Sequence, residues 1–261
     1  MVRLAHLGGP TVLIEVDGWR ILTDPTFDPP GRTYRFGLGT SSTKTTGPAL
    51  QPDELGVIDV VLLSHDHHAD NLDDRGRLEL ARAGTVLSTV PAARRIGGNG
   101  VHGLRAGNEI ELPGGRDRPA LRVKATPCRH GTPLSRPLTG AVIGFAVSLG
   151  SSGQVAVWMT GDTVLHGPLL RAAKHLHVDV LLMHLGSVRF PLTGPVRYSM
   201  KGSDAVRLLR VVKPRVAVPV HYEGWSHFSE PPALLDRELA QLRPPGDTPV
   251  RWLEPGTPQE M

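Results

Sequence analysis

Apolar and polar positions along the chain fall into short runs with turn residues between them. Val2 to Leu7, Thr11 to Val16 and Trp19 to Thr23 are β-prone runs cut by Gly8-Gly9-Pro10 and Asp17-Gly18, the second of which is a strong hairpin signal. Thr26 to Pro48 has little periodicity and is rich in Gly, Pro, Ser and Thr, which predicts a long loop. Loops of that length in a compact domain often serve a site, so this one is a candidate wall of a substrate cleft, the alternative being a surface excursion. Val57 to Leu63 is apolar and β-branched at strand length. Leu72 to Ala83 has helical spacing with Gly84 as its stop, Thr85 to Thr89 returns to strand, and Pro91 opens a short helix. Val101 to Arg105 and Glu109 to Leu112 predict a strand pair around Ala106-Gly107-Asn108, followed by strands at Leu121 to Thr126, Ala141 to Leu149 and Val155 to Met159.

The second half alternates. His166 to His177 reads as helix, Val178 to Met183 as a buried strand, Ser203 to Val212 as a helix capped by Ser203 or Gly202, Arg215 to Val220 as strand and Pro231 to Leu242 as an amphipathic helix. Strands first in meander and then alternating with helices predict an α/β (α+β) arrangement of sheets covered outside by helices. There is no internal repeat of solenoid period.

Composition narrows this picture. At 261 residues, with 39% hydrophobic and 21% charged positions, the chain reads as one globular domain, residues 1–261. No apolar stretch approaches the roughly 20 residues of a spanning helix, and Met1 to Thr11 lacks a signal-peptide pattern, so the expected location is cytoplasmic. The single cysteine, Cys128, forbids an internal disulfide and fits a reducing compartment. A formal charge of +4 and a pI near 9.6 do not imply nucleic acid. The excess is scattered arginine without a basic block, and aromatics are only 5%, so a small-molecule substrate is the expected partner. Oligomeric state leaves no mark on the pattern.

The candidate chemistry begins where Val57 to Leu63 stops. Three histidines and four aspartates fall within His65 to Asp74. Side chains of these types packed so densely call for a cation between them, unless they form a solvated turn. Further apolar strands end alike: LRVKATPCRH at His130, VAVWMTGD at Asp162, VDVLLMH at His184 and RVAVPVH at His221. In α/β sheets ligands gather beyond the carboxyl ends of strands. A lone histidine there is usually structural, but five such endings in one chain point to a metal centre. Cys128, two residues before His130, is either a ligand for a soft metal or a small buried hydrophobe. Asp24 forms a turn before Pro25 and could approach the site, and Tyr222, Glu223 and Trp225 could line it.

Taken together, TVLIEVDGWRILTDP, SHDHHADNLD, CRHG, TGDT and VPVHYEGW resemble the metallo-β-lactamase-fold metal-dependent hydrolases. Within them, the chain is most similar to the branch of the L-ascorbate-6-phosphate lactonases and N-acyl phosphatidylethanolamine phospholipases D. The resemblance implies a four-layer αββα sandwich with one or two metal ions, usually zinc, at one edge of the sheets. The family motif is His-x-His-x-Asp-His, from which this chain departs. One register keeps His65 and His67 as ligands of a first site and sets Asp70 where a second-site histidine would stand. The other inserts one residue and matches His68, Asp70 and Asn71 to His-x-Asp-His. Either way the motif has lost a second-site histidine, and asparagine is a poor zinc ligand. The resemblance assigns His130 to the first site, Asp162 to a carboxylate bridging two ions and His221 to the second site. Asp70 is then a ligand or the base that orients the attacking water. His184 is a substrate-contacting group or a support behind the ligands, and Arg129 or His184 could stabilise developing negative charge.

The activity implied is a metal-dependent hydrolase that directs a metal-bound hydroxide at an ester, lactone or phosphodiester of a small substrate, anionic or neutral. A weakened second site would admit one ion only, or favour manganese or iron over zinc. Two alternatives share the fold: an iron-dependent redox enzyme of dioxygenase type, and a non-catalytic member with a degraded second site. Loops Thr26 to Pro48 and Arg189 to Tyr198 would set the substrate.

Overall fold

The computed structural model describes residues 1–37, 39–242 and 248–261. The first sheet comprises β1 (Val2–Gly8), β2 (Thr11–Val16), β3 (Trp19–Thr23), β6 (Val60–Leu62), β7 (Thr85–Thr89), β8 (Val101–Leu104) and β15 (Gln259–Glu260), in the order β15-β1-β2-β3-β6-β7-β8. Its β1-β2-β3 part is the antiparallel meander the turns predict, whereas β3, β6, β7 and β8 run parallel. The second sheet contains β9 (Glu109–Leu112), β10 (Leu121–Pro127), β11 (Ile143–Leu149), β12 (Gln154–Met159), β13 (His177–His184) and β14 (Val216–Val220), in the order β14-β13-β12-β11-β10-β9.

The period of two in the apolar pattern decides the layers. Val12, Ile14, Val60, Leu62, Val180, Leu182, Val216 and Val218 lie in the core between the two sheets. Their neighbours point the other way. Leu13 and Val61 join a cluster under α1 (Asp74–Glu79) and α2 (Val90–Ile96), and Leu181, Met183 and Ala217 join one under α4 (Gly167–Ala173), α5 (Gly202–Val212) and α6 (Pro232–Leu242). The architecture is the four-layer αββα sandwich of the metallo-β-lactamase fold. A one-turn helix, α3 (Arg136–Thr139), lies between β10 and β11. No helix among the described residues is long and apolar enough to cross a membrane.

Three expectations need correction. β8 and β9 do not pair: they belong to different sheets, and residues 105–108 carry the chain between them, with Gly107 N–H donating to the Ala125 carbonyl (2.8 Å) and Ala125 N–H to that of Asn108 (2.9 Å). A short linker looks the same in sequence whether it turns a hairpin or crosses between sheets. The segment 26–48 is not all loop, because β4 (Thr33–Gly37) and β5 (Thr40–Thr43) form a separate hairpin within it. Its threonines and serines hide the apolar alternation that would announce strands. Finally, the helix expected over 166–177 ends at Ala173, since His177 pairs with Gln154 at the start of β13.

Strand direction brings the chemistry to one edge. β10 and β12 are both antiparallel to β11, so they run the same way, and β13 and β14 are parallel to β12. The carboxyl ends before His130 and Asp162, and those at His184 and before His221, therefore share one rim.

Candidate metal centre

The turn after β6 is held by Asp24, which is fully buried at the end of β3 with a φ of 30°. That conformation is costly for a non-glycine residue and persists only where its surroundings enforce it. Here they do: the Asp24 carboxylate accepts from Ser64 N–H (2.6 Å), Ser64 hydroxyl (2.8 Å) and the Asn71 amide (3.0 Å). With its proton committed to Asp24, Ser64 Oγ accepts from His65 Nδ1 (2.9 Å). This leaves His65 Nε2 as an acceptor, 3.2 Å from His68 Nδ1. His130 is oriented by the same logic, its Nδ1 donating to the Tyr198 carbonyl (2.7 Å).

One nitrogen from each of His65, His68 and His130 lies within 4.8 Å of the others. Burial, and then the neighbouring imidazoles, keep His65 and His68 well below the ordinary histidine pKa, and burial brings His130 down to about 4. All three are therefore neutral near pH 7, the state in which imidazole binds a metal.

A second group lies beside the first. Asp70, His221 and His227 also place one ligand atom each within 4.8 Å of one another. Asp70 Oδ2 is 3.3 Å from His221 Nε2 and 3.2 Å from His227 Nε2. Burial alone would raise the pKa of Asp70, but the two histidines outweigh it and hold the carboxyl well below its usual range. Asp162 is wholly buried, and neither of its oxygens has a hydrogen-bond partner, although Oδ1 is 3.3 Å from His221 Nδ1. Its pKa is pushed well up by burial, with Asp70 and Asp24 adding to the effect.

Asp70 Oδ1, His221 Nδ1 and both nitrogens of His227 are likewise buried without hydrogen bonds. Orphaned buried polar atoms are rare and costly. Here they converge from four residues and are all N or O atoms of types that bind divalent ions, so the residues present fit a metal centre.

His227 has no place in the sequence-level reading. It sits six residues after His221, in a loop with no periodic signal, and its position depends on distant contacts. Ser226 N–H donates to the Thr43 carbonyl of β5 (3.0 Å), Thr45 N–H to that of Gly224 (2.8 Å), and Arg189 N–H to that of His227 itself (3.2 Å). An imidazole with no place in the motif thus joins Asp70 and His221.

The other expected residues lie as follows. His67 belongs to neither group; its Nε2 meets the Thr139 carbonyl and its ring packs on Gly140, where an added Cβ would approach within 2.6 Å. His184 is completely buried, with Nε2 3.5 Å from Asp24 Oδ2 and its ring 5.5 Å from that of His221. Cys128 Sγ donates to the Thr160 carbonyl at 3.0 Å, and burial raises its pKa well above the ordinary thiol value.

A cavity of about 60 Å³ opens onto His68, Asp70 and His130, walled by Phe36, Val188, Phe190 and Tyr198. Both loops expected to shape the substrate site contribute to it. Phe36 comes from the β4-β5 hairpin, with its ring 5.3 Å from those of His68 and His227, and Phe190 and Tyr198 come from the other loop. A larger cleft of about 740 Å³ adjoins it, and His130 and Thr139 line both.

Comparison with known proteins places the chain in a family. A model of the beta-lactamase superfamily domain matches residues 19–222. A UPF0173 metal-dependent hydrolase from Opitutus terrae is 30% identical over 271 residues, covering 100% of both chains. Among solved structures, a possible metal-dependent hydrolase from Veillonella parvula superposes with a TM-score of 0.80 at 18% identity over 100% of each chain. An isothiocyanate hydrolase from Delia radicum gut bacteria gives 0.79 at 18% identity over 99% of this chain and 98% of the other. The two structural likenesses establish the fold.

Proposed function

Because the chain belongs to the beta-lactamase superfamily, among its UPF0173 metal-dependent hydrolases, we propose that it hydrolyses an ester, lactone or phosphodiester of a small substrate at a two-ion centre. His65, His68 and His130 would hold one ion, Asp70, His221 and His227 the other, and Asp162 would bridge them. The observation that carries this reading is the pair of buried three-donor groups with the unpartnered Asp162 carboxylate beside them. The five imidazoles and two carboxylates suit zinc, whose sites are built from these donors.

When bound, such ions supply a nucleophilic water of lowered pKa and polarise the scissile oxygen. The chain's own residues do the rest. Asp24, through Ser64, fixes the His65 tautomer, and the Tyr198 carbonyl fixes that of His130. Asp70 stays ionised and keeps Oδ1 free to accept a hydrogen bond from the attacking water, orienting it. His184 lies outside the lining of both cavities, with Nε2 3.5 Å from Asp24 and neither ring nitrogen hydrogen-bonded, so its place in this reading is behind the centre rather than against substrate. Phe36, Phe190 and Tyr198 exclude bulk water from the small cavity.

The test is metal analysis of the purified protein, followed by a screen of lactones and phosphodiesters with and without chelator. Hydrolysis should vanish on chelation and return with zinc, and His130→Ala and Asp162→Ala should each reduce bound metal. Unchanged metal content in both variants overturns the centre. Oxygen consumption with bound iron, in place of hydrolysis, overturns the reaction.

A further inference from the structure

The cavity over the two donor groups, at about 60 Å³, has room for roughly two water molecules at about 30 Å³ each. A scissile group fits there, but a whole substrate does not. The adjoining cleft of about 740 Å³ is within the usual size of a small-molecule site, and its lining is distinctive. Arg94, Arg105, Arg129 and Arg136 line it, and among the described residues no aspartate or glutamate does.

None of these four guanidinium groups enters an ion pair among the described residues. Elsewhere arginines are commonly matched with carboxylates: Arg95 with Asp66, Arg118 with Asp59, Arg122 with Glu109 and Arg215 with Asp179. A composition rich in arginine explains scattered surface charge. It does not explain four unpaired arginines lining one cleft from α2, from the end of β8, from the segment after β10 and from α3.

Two buried atoms point the same way. Arg129 Nε is buried without a hydrogen-bond partner, and so is Nε2 of His166, a residue only 6% exposed that also lines the cleft. The other ring nitrogen of His166 is bonded to the Pro127 carbonyl, and burial, followed by Arg129, lowers its pKa to about 4. Neutral and tied in this way, His166 presents an acceptor among the arginine donors. An oxyanion with a neighbouring hydroxyl would satisfy both kinds of group, since guanidinium matches phosphate and carboxylate oxygens in bidentate fashion.

We propose that the cleft of Arg94, Arg105, Arg129 and Arg136 is an anion-binding subsite that seats the phosphate or carboxylate end of the substrate, while the bond to be cleaved reaches past His130 and Thr139 into the small cavity. This rests on the hydrolase reading above for its location but not for its own test. The occupant is a small molecule bearing an anionic group and a hydroxyl, long enough to span both cavities.

The experiment titrates the metal-loaded protein, wild type and Arg94→Gln/Arg136→Gln, with inorganic phosphate and separately with succinate by calorimetry, and measures metal content and melting temperature on the same samples. Both exchanged residues are exposed, so the variant should keep its fold and its metal. Affinity for one or both anions should fall at least tenfold in the variant, and the tighter-binding probe identifies the anionic group. Equal affinity in the two proteins, or no binding of either anion by the wild type, overturns the subsite. Failure of the metal centre would appear separately, as absent metal in the wild type.

Discussion

Replacing His227 by phenylalanine tests the unexpected part of the metal centre. The His227 ring lies in an aromatic nest, stacked at 6.0 Å on Trp225 and packed at 5.3 Å against Phe36, 5.5 Å against Phe190 and 4.6 Å against Phe228. Phenylalanine keeps an aromatic ring, one atom larger, against those neighbours and removes the two nitrogens. Loss of a residue that merely supports a ligand costs about 10- to 100-fold in metal affinity. Removing one of the three donors around Asp70 should therefore cost at least about 100-fold, or about 2.7 kcal/mol at about 1.4 kcal/mol per decade.

The assay is metal stoichiometry after equilibrium dialysis against buffered zinc. The wild type should hold two ions per chain and His227→Phe one, with the His65, His68 and His130 group still loaded. Two ions retained by His227→Phe at undiminished affinity would refute the reasoning.

The register of the motif can be decided in the same assay: His67→Gln should leave the stoichiometry intact and His68→Gln should lose an ion, and the reverse result would rule out the His68 assignment. Acid should weaken the metal-free fold through His130. Its folded pKa, about 4, lies below the ordinary 6.5, so the unfolded chain takes up the proton first. The associated stability is complete above about pH 6.5 and is lost as pH falls through about 4, a span worth about 3 kcal/mol. In urea titrations from pH 7.5 down to 4, wild type should therefore lose more stability than His130→Phe, and identical pH dependence would exclude this contribution. Asp73→Ala should destabilise by about 3–5 kcal/mol, the usual cost of breaking a buried ion pair. The Asp73 carboxylate accepts from Lys44 Nζ (2.8 Å), Phe27 N–H (2.9 Å), Asp28 N–H (2.7 Å) and Gly76 N–H (2.8 Å). A loss of melting stability below 1 kcal/mol would show that water replaces these bonds.

Legibility from sequence followed the range of the forces involved. The sheets could be read because alternation is a local signal, and an apolar face that must be buried announces itself every second residue, as in Val12, Ile14 and Val16. The strand-end candidates were readable for a related reason: a polar residue just beyond an apolar strand, as at His130, Asp162 and His221, is carried to the rim of the sheet. The β4-β5 hairpin was not readable, because it stands apart from both sheets and its serines and threonines need no apolar face. The choice between His67 and His68 was also hidden. It turns on which ring meets the Thr139 carbonyl, a contact 72 residues away in the chain.

The case of His227 shows how such a centre can keep its donors when its motif changes. In the register that matches His68, Asp70 and Asn71 to the motif, Asn71 stands where the family has histidine, yet it is not idle. Its amide donates to Asp24, the carboxylate that also fixes Ser64 and, through it, His65. The chain instead delivers an imidazole from the loop after β14, fastened to β5 by Ser226 and followed by Phe228. The β4-β5 hairpin therefore has two roles: it walls the cavity with Phe36, and it fixes the loop that carries His227. A substitution in the hairpin that loosens Thr43 from Ser226 should then disturb the Asp70 group before the His65 group. Two donor groups on one sheet edge can in this way depend on different parts of the fold.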